Sequence, residues 1–337
     1  MLILGIETSC DETALALVSD GVHIHGNLVV SQVELHSKFR GIIPELASRK
    51  HVEIIIPALE QMLSETCTRL SDIDAVAVTH GPGLLGSLLI GVSTAAGIAL
   101  GQRIPLIPVN HLQAHLYAAS LGQHSFHGPA VGLVISGGHT DLVYMHNLLS
   151  YELLGATRDD AVGEAFDKVA RILDLGYPGG PAIERIACSG NAVNVALPQP
   201  KFKEATLDFS LSGLKTAVLY RVKQLKKEGK SIPVPDIAAS FQLEVARMLS
   251  KRLQQATKQT EATKILIGGG VAANRFIREF LLSSLGPAIS IQIAAPHLCT
   301  DNAVMVAGLA YHRLNAGKGS TLSLEAVPNL SISSKEH

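Results

Sequence analysis

Apolar and polar positions alternate along the chain in a way that predicts strands and helices in two similar sets. The first set opens with a hairpin, in which apolar strands at 2–7 and 14–19 flank a polar turn at 8–13. Further strands are expected at 23–31, 73–79 and 105–108, and helical periodicity is found near 45–66, 84–101 and 111–120. This succession predicts an α/β fold.

The second half of the sequence repeats the same plan. A strand at 132–135, a glycine-containing turn at 136–140 and a return strand at 141–145 match the first hairpin. Later a strand at 264–267 leads into three glycines and a helix near 272–284, as the strand at 75–78 leads into 81–83 and a helix. We infer a duplicated unit, and two lobes of this kind would place their turns on opposite walls of one cleft.

The amino-acid composition limits which residues can form the core and which kinds of partner the protein can attract. The 337 residues are 47% hydrophobic but only 4% aromatic, with no Trp, so the core must be aliphatic, which favours parallel strands covered by helices. A net charge of −1 provides no global attraction to nucleic acid, so a polyanion would need a local basic patch or a partner's surface. The four cysteines form no CxxC pair and indicate free thiols in a reducing compartment.

The segment 81–102 has no charged residue and is long enough to cross a bilayer. Its many Gly, Ser and Thr residues favour a helix packed closely against a sheet instead. The N-terminal apolar run is too short for a signal peptide, because Glu7 follows at once. We therefore expect a cytoplasmic protein without a membrane partner.

Four glycine- or hydroxyl-rich turns could hold a phosphate or a nucleoside. They lie at 8–13, 136–140, 177–181 and 268–274. Glycines let a ligand approach the main chain, and backbone N–H groups at such turns bind anions. In the first turn, Asp11 and Glu12 could also hold a cation or accept a proton. Ordinary polar hairpins and loops remain the alternative for each turn taken alone.

The sharpest chemical signal is a pair of histidines at 111 and 115. Side chains four residues apart project from one face of a helix and can chelate one metal ion. A zinc peptidase of the HExxH type needs Glu after the first His, and Leu112 stands there. Asp301 opens a later helix, either as its N-cap or as the third ligand of a two-His-one-carboxylate site.

A basic run follows residues 208–216. It comprises Arg221, Lys223, Lys226, Lys227 and Lys230. A solvated helix face is the ordinary interpretation of such a run, and docking of RNA phosphates is the alternative.

Together these segments resemble one family. The residues that carry the resemblance are 5–13, 44–49, His111 with His115, 136–140, 163–168, 177–181, 208–216, 268–274 and 299–302. The chain is similar over residues up to about 315 to the TsaD family of tRNA N6-adenosine threonylcarbamoyltransferases. The resemblance implies an actin/Hsp70-like (ASKHA) fold, with duplicated RNase H-like lobes and a nucleotide cleft between them.

On this basis we expect three parts of the chain. Residues 1–125 would form an N-terminal lobe with the histidine pair, and residues 126–305 a C-terminal lobe with most of the donor-binding loops. Residues 306–337 would form a helix that packs back on the N-terminal lobe, followed by a flexible tail.

The resemblance also implies the site and its ligands. One Fe²⁺ per subunit would be held by His111, His115 and Asp301, with Zn²⁺ or another divalent ion as the alternative. The donor threonylcarbamoyl-AMP would contact residues of the second half, namely Val134, Ile135, Ser136, Gly137, Gly138, Asp167, Gly180, Glu184 and Asn274. The implied partners are tRNA and the proteins TsaB and TsaE.

The implied reaction transfers threonylcarbamoyl to N6 of adenosine 37 in tRNAs that read codons beginning with A, forming t6A. Two alternatives stay open from the sequence: a metal-dependent endopeptidase, which is an older label for such chains, and a kinase or ATPase of the same fold.

Overall fold

A computed structural model of the chain describes residues 1–121, 128–199, 206–319 and 323–334, and each of its two units contains a five-stranded sheet. The first unit comprises Met1–His127, His146–Tyr151 and Thr300–His337, and the second comprises Gly128–Met145 and Glu152–Cys299. The boundary expected between residues 125 and 126 lies outside the described residues. The chain returns to the first unit at Thr300, ahead of the boundary expected at 305.

The helices and strands follow in this order. Up to residue 121 they are β1 (Leu2–Glu7), β2 (Glu12–Ser19), β3 (His23–Ser31), α1 (Val33–Ser37), α2 (Pro44–Glu65), β4 (Ala75–Gly81), α3 (Leu85–Gln102), β5 (Leu106–Asn110) and α4 (His111–Ala118). After residue 128 they are β6 (Ala130–Ile135), β7 (Thr140–Asn147), β8 (Ser150–Ala156), α5 (Val162–Ile172), α6 (Gly179–Ala187), α7 (Ser212–Lys227), α8 (Val234–Thr260), β9 (Lys264–Gly268), α9 (Arg275–Ser284), β10 (Ser290–Ile293), α10 (Pro296–Cys299) and α11 (Ala303–Asn315).

The two sheets have the same topology, which confirms the duplication predicted from the sequence. The first has the order β3-β2-β1-β4-β5, and the second has the matching order β8-β7-β6-β9-β10. In each, the first strand pairs antiparallel with its hairpin partner and parallel with the strand that precedes a glycine turn. The structure therefore builds both halves on one α/β plan.

Alternation along β1 divides its side chains between two helical layers. Leu4 and Ile6 belong to a buried aliphatic cluster with residues of α2 and α3. Gly5 points the other way, towards α11, where it lies against Ala303 and Ala307. The first sheet is therefore covered on one side by α2 and α3 and on the other by α11.

Among the described residues, one helix, α3, is long and apolar enough to cross a membrane by length and composition. It packs against β4 and α2 and contributes Val92, Ala95 and Ala99 to the buried cluster of the first unit. Core helices of soluble proteins pass the same length test, and these contacts fit the packed helix expected from the sequence.

One local expectation differs from the structure, namely the start of the helix expected near residue 272. A short 3-10 turn (Gly270–Ala273) precedes α9, so this helix begins only at Arg275. Helix α6 begins at Gly179, which packs against Asp167 of α5, and Cys299 ends the short helix α10.

The described part of the C-terminal segment, residues 323–334, makes defined contacts with the first unit. The main chain of Val327 donates to the carbonyl of His80 at 2.7 Å, and Pro328 accepts from Gly83 at 3.0 Å. The side chain of Ile332 is only 1% exposed. This segment therefore lies along the turn between β4 and α3 and on towards α4.

We expect Gly5→Ala to destabilise the first unit, because a methyl group at this position would collide with the carbonyl oxygen of Ala303. Overpacking of this kind costs about 1–3 kcal/mol, to be measured as the free energy of unfolding in urea. Gly97→Ala in α3 is the matched control, since an added methyl there meets no atom within 4 Å. Equal stabilities of the two variants would contradict the close packing of α11 on β1.

Candidate metal centre and donor loops

Helix α4 starts at the end of β5, where Asn110 caps it. The Asn110 side chain accepts hydrogen bonds from the main chain of Leu112 at 3.0 Å and of Gln113 at 3.3 Å. Capping by Asn satisfies N–H groups that have no partner within the helix and fixes where the helix begins. His111 is therefore the first helical residue, and His115 lies one turn later on the same face.

Asp301 is not the cap of α11. That role belongs to Asn302, whose side chain accepts from the main chain of Met305 at 3.1 Å. Of the two roles left open by the sequence, the structure therefore removes the cap. The Asp301 carboxylate instead lies beside the histidine pair, within the first unit.

Three ligand atoms converge on one point. Nε2 of His115 lies 3.1 Å from Nε2 of His111 and 3.1 Å from Oδ1 of Asp301, and the His111–Asp301 distance is 3.5 Å. Ligands about 2.0–2.2 Å from a shared divalent ion are themselves separated by roughly 3–3.5 Å. These side chains therefore fit a metal ion, with coordination positions left for a substrate.

A buried carboxylate, Glu7 at the end of β1, orients His111. Its Oε2 accepts from Nδ1 of His111 at 3.0 Å, and its Oε1 accepts from the main chain of Ser9 at 2.6 Å. The hydroxyl of Thr79 also donates to it. A hydrogen bond at Nδ1 keeps the proton on that nitrogen and leaves Nε2 free as a ligand. Nδ1 of His115, by contrast, is buried without a hydrogen-bond partner among the described residues.

The charged groups around the two histidines shift their pKa values in opposite directions. Burial by itself lowers the pKa of His111, but the carboxylates of Glu7 and Asp301 outweigh it and raise that pKa to about 9. Burial and the neighbouring His111 lower the pKa of His115. A metal ion bound at Nε2 of His111 would displace the proton from that nitrogen, because a ligand nitrogen must be unprotonated.

Asp11 lies in the turn that follows β1, and Glu12 is the first residue of β2, close enough to Asp301 to be affected by its charge. Burial, together with the charges of Asp301 and Asp11, raises the pKa of Glu12 to about 10. Burial and nearby carboxylates also raise the pKa of the Cys10 thiol. The turn therefore brings several acidic groups together, and a divalent cation nearby would favour their ionised forms.

The C-terminal segment fastens the start of α4. The Asn110 side chain donates to the carbonyl of Ser331 at 3.0 Å, and the Gln113 side chain donates to the carbonyl of Ile332 at 2.9 Å. Asn110 and Gln113 lie on either side of His111 in the chain. The segment expected from the sequence to be a flexible tail thus contacts the helix that carries both histidines.

In the second unit, the residues expected to bind the donor form a continuous series of contacts. Gly163 at the start of α5 lies against the 136–137 turn, and the main chain of Gly179 donates to Oδ1 of Asp167 at 2.7 Å. Gly269 lies against Ile135, with a φ of +97° that favours glycine. Glu184 accepts from the main chain of Arg275 at 2.7 Å.

Several of these residues are limited in what they can offer. Val134 and Ile135 are fully buried within β6, so only their main chain could reach a ligand. The Asn274 side chain caps α9 by accepting from Ile277 at 2.9 Å, and it donates to Gln242 at 2.9 Å. By contrast, Gly137, Gly138 and Gly180 have open space where a side chain would stand.

Two five-stranded sheets of matching strand order define the actin/Hsp70-like class of fold. Among solved structures, component A of the (R)-2-hydroxyglutaryl-CoA dehydratase of Acidaminococcus fermentans shares this fold, with a TM-score of 0.54 and 16% identity over 94% of this chain and 99% of that one. The ROK hexokinase of Thermus thermophilus matches with a TM-score of 0.50 and 15% identity over 94% and 100%.

Sequence comparison identifies the family within this class. The family model described as TsaD: tRNA N6-adenosine threonylcarbamoyltransferase matches residues 23–308. A protein of that name from Symbiobacterium thermophilum is 49% identical over 335 residues, covering 98% of this chain and 97% of the relative. The chain belongs to the TsaD family.

Glu7 is the residue that sequence reasoning missed. The sequence assigns it no role at the metal centre, whereas the structure makes it the partner of His111. The available signal was a carboxylate at the end of a fully apolar strand, since a buried charge requires a partner. The hydroxyl of Ser9 lies 3.2 Å from Nδ1 of His111, a contact that the sequence does not predict.

We predict that Glu7→Gln weakens metal binding by about 10–100-fold, because His111 would lose the charge that orients it. The affinity for Fe²⁺ or Zn²⁺ can be measured by competition with a chromophoric chelator, together with the melting temperature of the metal-free protein. Glu45→Gln, at an exposed carboxylate of α2, is the control. Unchanged affinity in folded Glu7→Gln protein would rule out the orienting role.

Proposed function

We propose that this chain is an acyltransferase that transfers threonylcarbamoyl from threonylcarbamoyl-AMP to N6 of adenosine 37 in tRNAs reading codons that begin with A, forming t6A. Membership of the TsaD family carries this proposal. The convergence of His111, His115 and Asp301 supports it, because the three residues implied by the family resemblance lie together.

We propose one Fe²⁺ per subunit at these three residues, with Zn²⁺ or another divalent ion as the alternative. Two imidazoles and one carboxylate with open positions suit iron(II). When bound, such an ion supplies Lewis acidity and a template for the oxygens of the donor. Glu7 would hold the His111 ring in place, and Asn110 would fix the first turn of α4.

The donor would be bound by the turns of the second unit. Open glycines at 137, 138 and 180 leave main-chain N–H groups within reach of a phosphate or a ribose. Asp167 and Glu184 would act from α5 and α6, and Asn274 from the start of α9. Val134 and Ile135 would contribute through their main chain alone.

The chemical step exchanges one bond for another. The N6 nitrogen of adenosine attacks the carbamoyl carbon, the bond from that carbon to the phosphate oxygen breaks, and AMP leaves with the bonding electrons. The nitrogen then gives up one proton. Asp11 and Glu12 are the two candidates for accepting this proton.

The two alternative functions have weaker support. Glu7 contacts Nδ1 of His111, the ring nitrogen that faces away from the convergence point, and Leu112 occupies the position of the peptidase base. A kinase of the same fold would use the glycine turns but would give no role to the histidine pair. The likeness to a hexokinase lies at 15% identity and concerns the fold.

We further propose that the protein works in the cytoplasm with TsaB and TsaE, and that one of them covers an apolar face of α2 and α3. This face carries exposed aliphatic side chains, namely Val52, Ile56, Leu85, Leu89 and Leu100, which are 46–63% exposed. The two helices pack side by side in the first unit. Exposed apolar side chains on two neighbouring helices are typical of a protein-binding site.

We expect His115→Ala to abolish t6A formation while the protein still folds. Loss of a metal ligand costs several kcal/mol of transition-state stabilisation, or roughly 10²–10³-fold in rate. Nucleoside mass spectrometry of tRNA from depleted cells, complemented with the wild type or the variant, measures this. His297→Ala, at an exposed histidine, is the control.

Unchanged t6A after depletion of the protein would contradict the transferase proposal. Cleavage of a protein substrate that depends on His111 would favour the peptidase instead, and phosphate transfer to a sugar would favour the kinase.

For the partner surface, we predict that Leu89→Asp weakens the complex with either TsaB or TsaE at least tenfold, because a charge would be buried in the interface. Each partner is titrated separately by calorimetry. Val193→Asp, at an exposed aliphatic residue of the second unit, is the control. If neither complex is weakened, the apolar face is not the docking site.

A further inference from the structure

Helix α7 of the second unit carries a polar stripe on its outward face. Its buried side packs through Leu214, Val218, Val222 and Leu225. The opposite side presents Thr216, Tyr220, Lys223 and Lys227, which are spaced by four, three and four residues and therefore line one face. We call these four residues the α7 stripe. Tyr220, the one aromatic residue of the stripe, is 65% exposed.

The positive charge of the α7 stripe is not neutralised locally. There is no Asp or Glu between residues 209 and 227, although the whole chain has a net charge of −1. Within the described ranges, no carboxylate forms an ion pair with Lys223 or Lys227. The nearest acid along the chain, Glu228, is bonded to Lys230 at 2.8 Å and to Gln224 at 2.8 Å. A compact positive field therefore stands out from a nearly neutral protein.

The start of α7 is fastened close to the turn proposed to bind the donor. Nζ of Lys215 lies 2.5 Å from Oδ2 of Asp160, which stands two residues before the start of α5. The first turn of α5 in turn packs on that donor turn, since a Cβ on Gly163 would lie 2.7 Å from the carbonyl oxygen of Ser136. At 1.5 Å per residue, Lys223 and Lys227 stand about 12 Å and about 18 Å from Lys215 along the axis. The stripe thus extends along α7 from a helix start that is tied, within one unit, to the segment packed on the donor turn.

We propose that the α7 stripe docks the sugar-phosphate backbone of the tRNA around the target adenosine, an inference that rests on the proposed function. Lys223 and Lys227 would contact successive phosphates, Thr216 would donate a hydrogen bond, and Tyr220 would lie against a ribose or an unstacked base. Contacts to the backbone suit an enzyme whose substrates share one modified position but differ in sequence, because phosphates carry no sequence information.

The composition of the stripe favours RNA over a protein partner. The cores of protein interfaces are depleted in lysine and rely on buried aliphatic and aromatic anchors. The α7 stripe has one aromatic ring and no aliphatic side chain. The face of α2 and α3 has the opposite composition, with five exposed aliphatic residues.

The test compares two double variants of the full-length chain, assayed with its partner proteins on an unmodified tRNA transcript. Lys223→Gln/Lys227→Gln removes the two charges of the stripe. Lys251→Gln/Lys258→Gln removes two exposed charges from one helix, α8, of the same unit. Both double variants change the net charge equally. A difference in tRNA binding between them therefore depends on where the lysines lie and not on the total charge.

We expect the stripe variant to raise the KM for tRNA roughly tenfold or more with little change in kcat, and to lower the slope of log K against log salt by about 1.5, as the loss of two phosphate contacts requires. The α8 pair should behave like the wild type. Tyr220→Ser should weaken tRNA binding without changing that slope, because stacking releases no counterions.

Equal effects of the two double variants, or an unchanged salt slope in the stripe variant, would overturn the proposal. So would loss of binding to TsaB or TsaE by the stripe variant with normal tRNA binding, since that would mark a protein interface. If the wild type itself neither binds nor modifies tRNA, the proposed function fails. If the wild type modifies tRNA and the stripe variant has a normal KM for tRNA, the docking proposal fails while the proposed function stands.

Discussion

The close approach of α11 to β1 is the constraint on which the candidate site depends. Gly5 has no side chain, so the backbone of α11 at Ala303 can lie directly on the strand. Only then does the residue two positions earlier, Asp301, come within 3.1 Å of His115. A ligand set drawn from residues nearly two hundred positions apart is thus produced by ordinary helix-on-sheet packing, and the Asn302 cap leaves the Asp301 carboxylate available.

The glycines of the second unit show a division of labour that explains their density. In the pairs 179–180 and 269–270, one glycine lies against another backbone and the other faces open space. The packed member brings two elements together, and the open member leaves the main chain accessible to a ligand. A turn of this kind therefore needs both residues to be small, for two different physical reasons.

The sequence predicts most of the fold, because alternation and helical periodicity are local properties. The hairpins, their repetition and the His111/His115 pair follow from spacings of a few residues. The role of Glu7 does not, because its partners, His111 and Thr79, are distant in sequence. The same limit applies to residues 323–334, whose polar composition suggested a tail, whereas main-chain carbonyls at 331 and 332 bind the start of α4.

The first unit is discontinuous along the chain, with the second unit inserted between its parts. On the ribosome, the second unit is therefore fully synthesised while the first still lacks α11, the layer that covers one side of its sheet. The nascent chain must carry an unfinished N-terminal sheet, with an exposed apolar side, until α11 emerges. The side chains of His111, His115 and Asp301 can accordingly come together only after the whole second unit has been made.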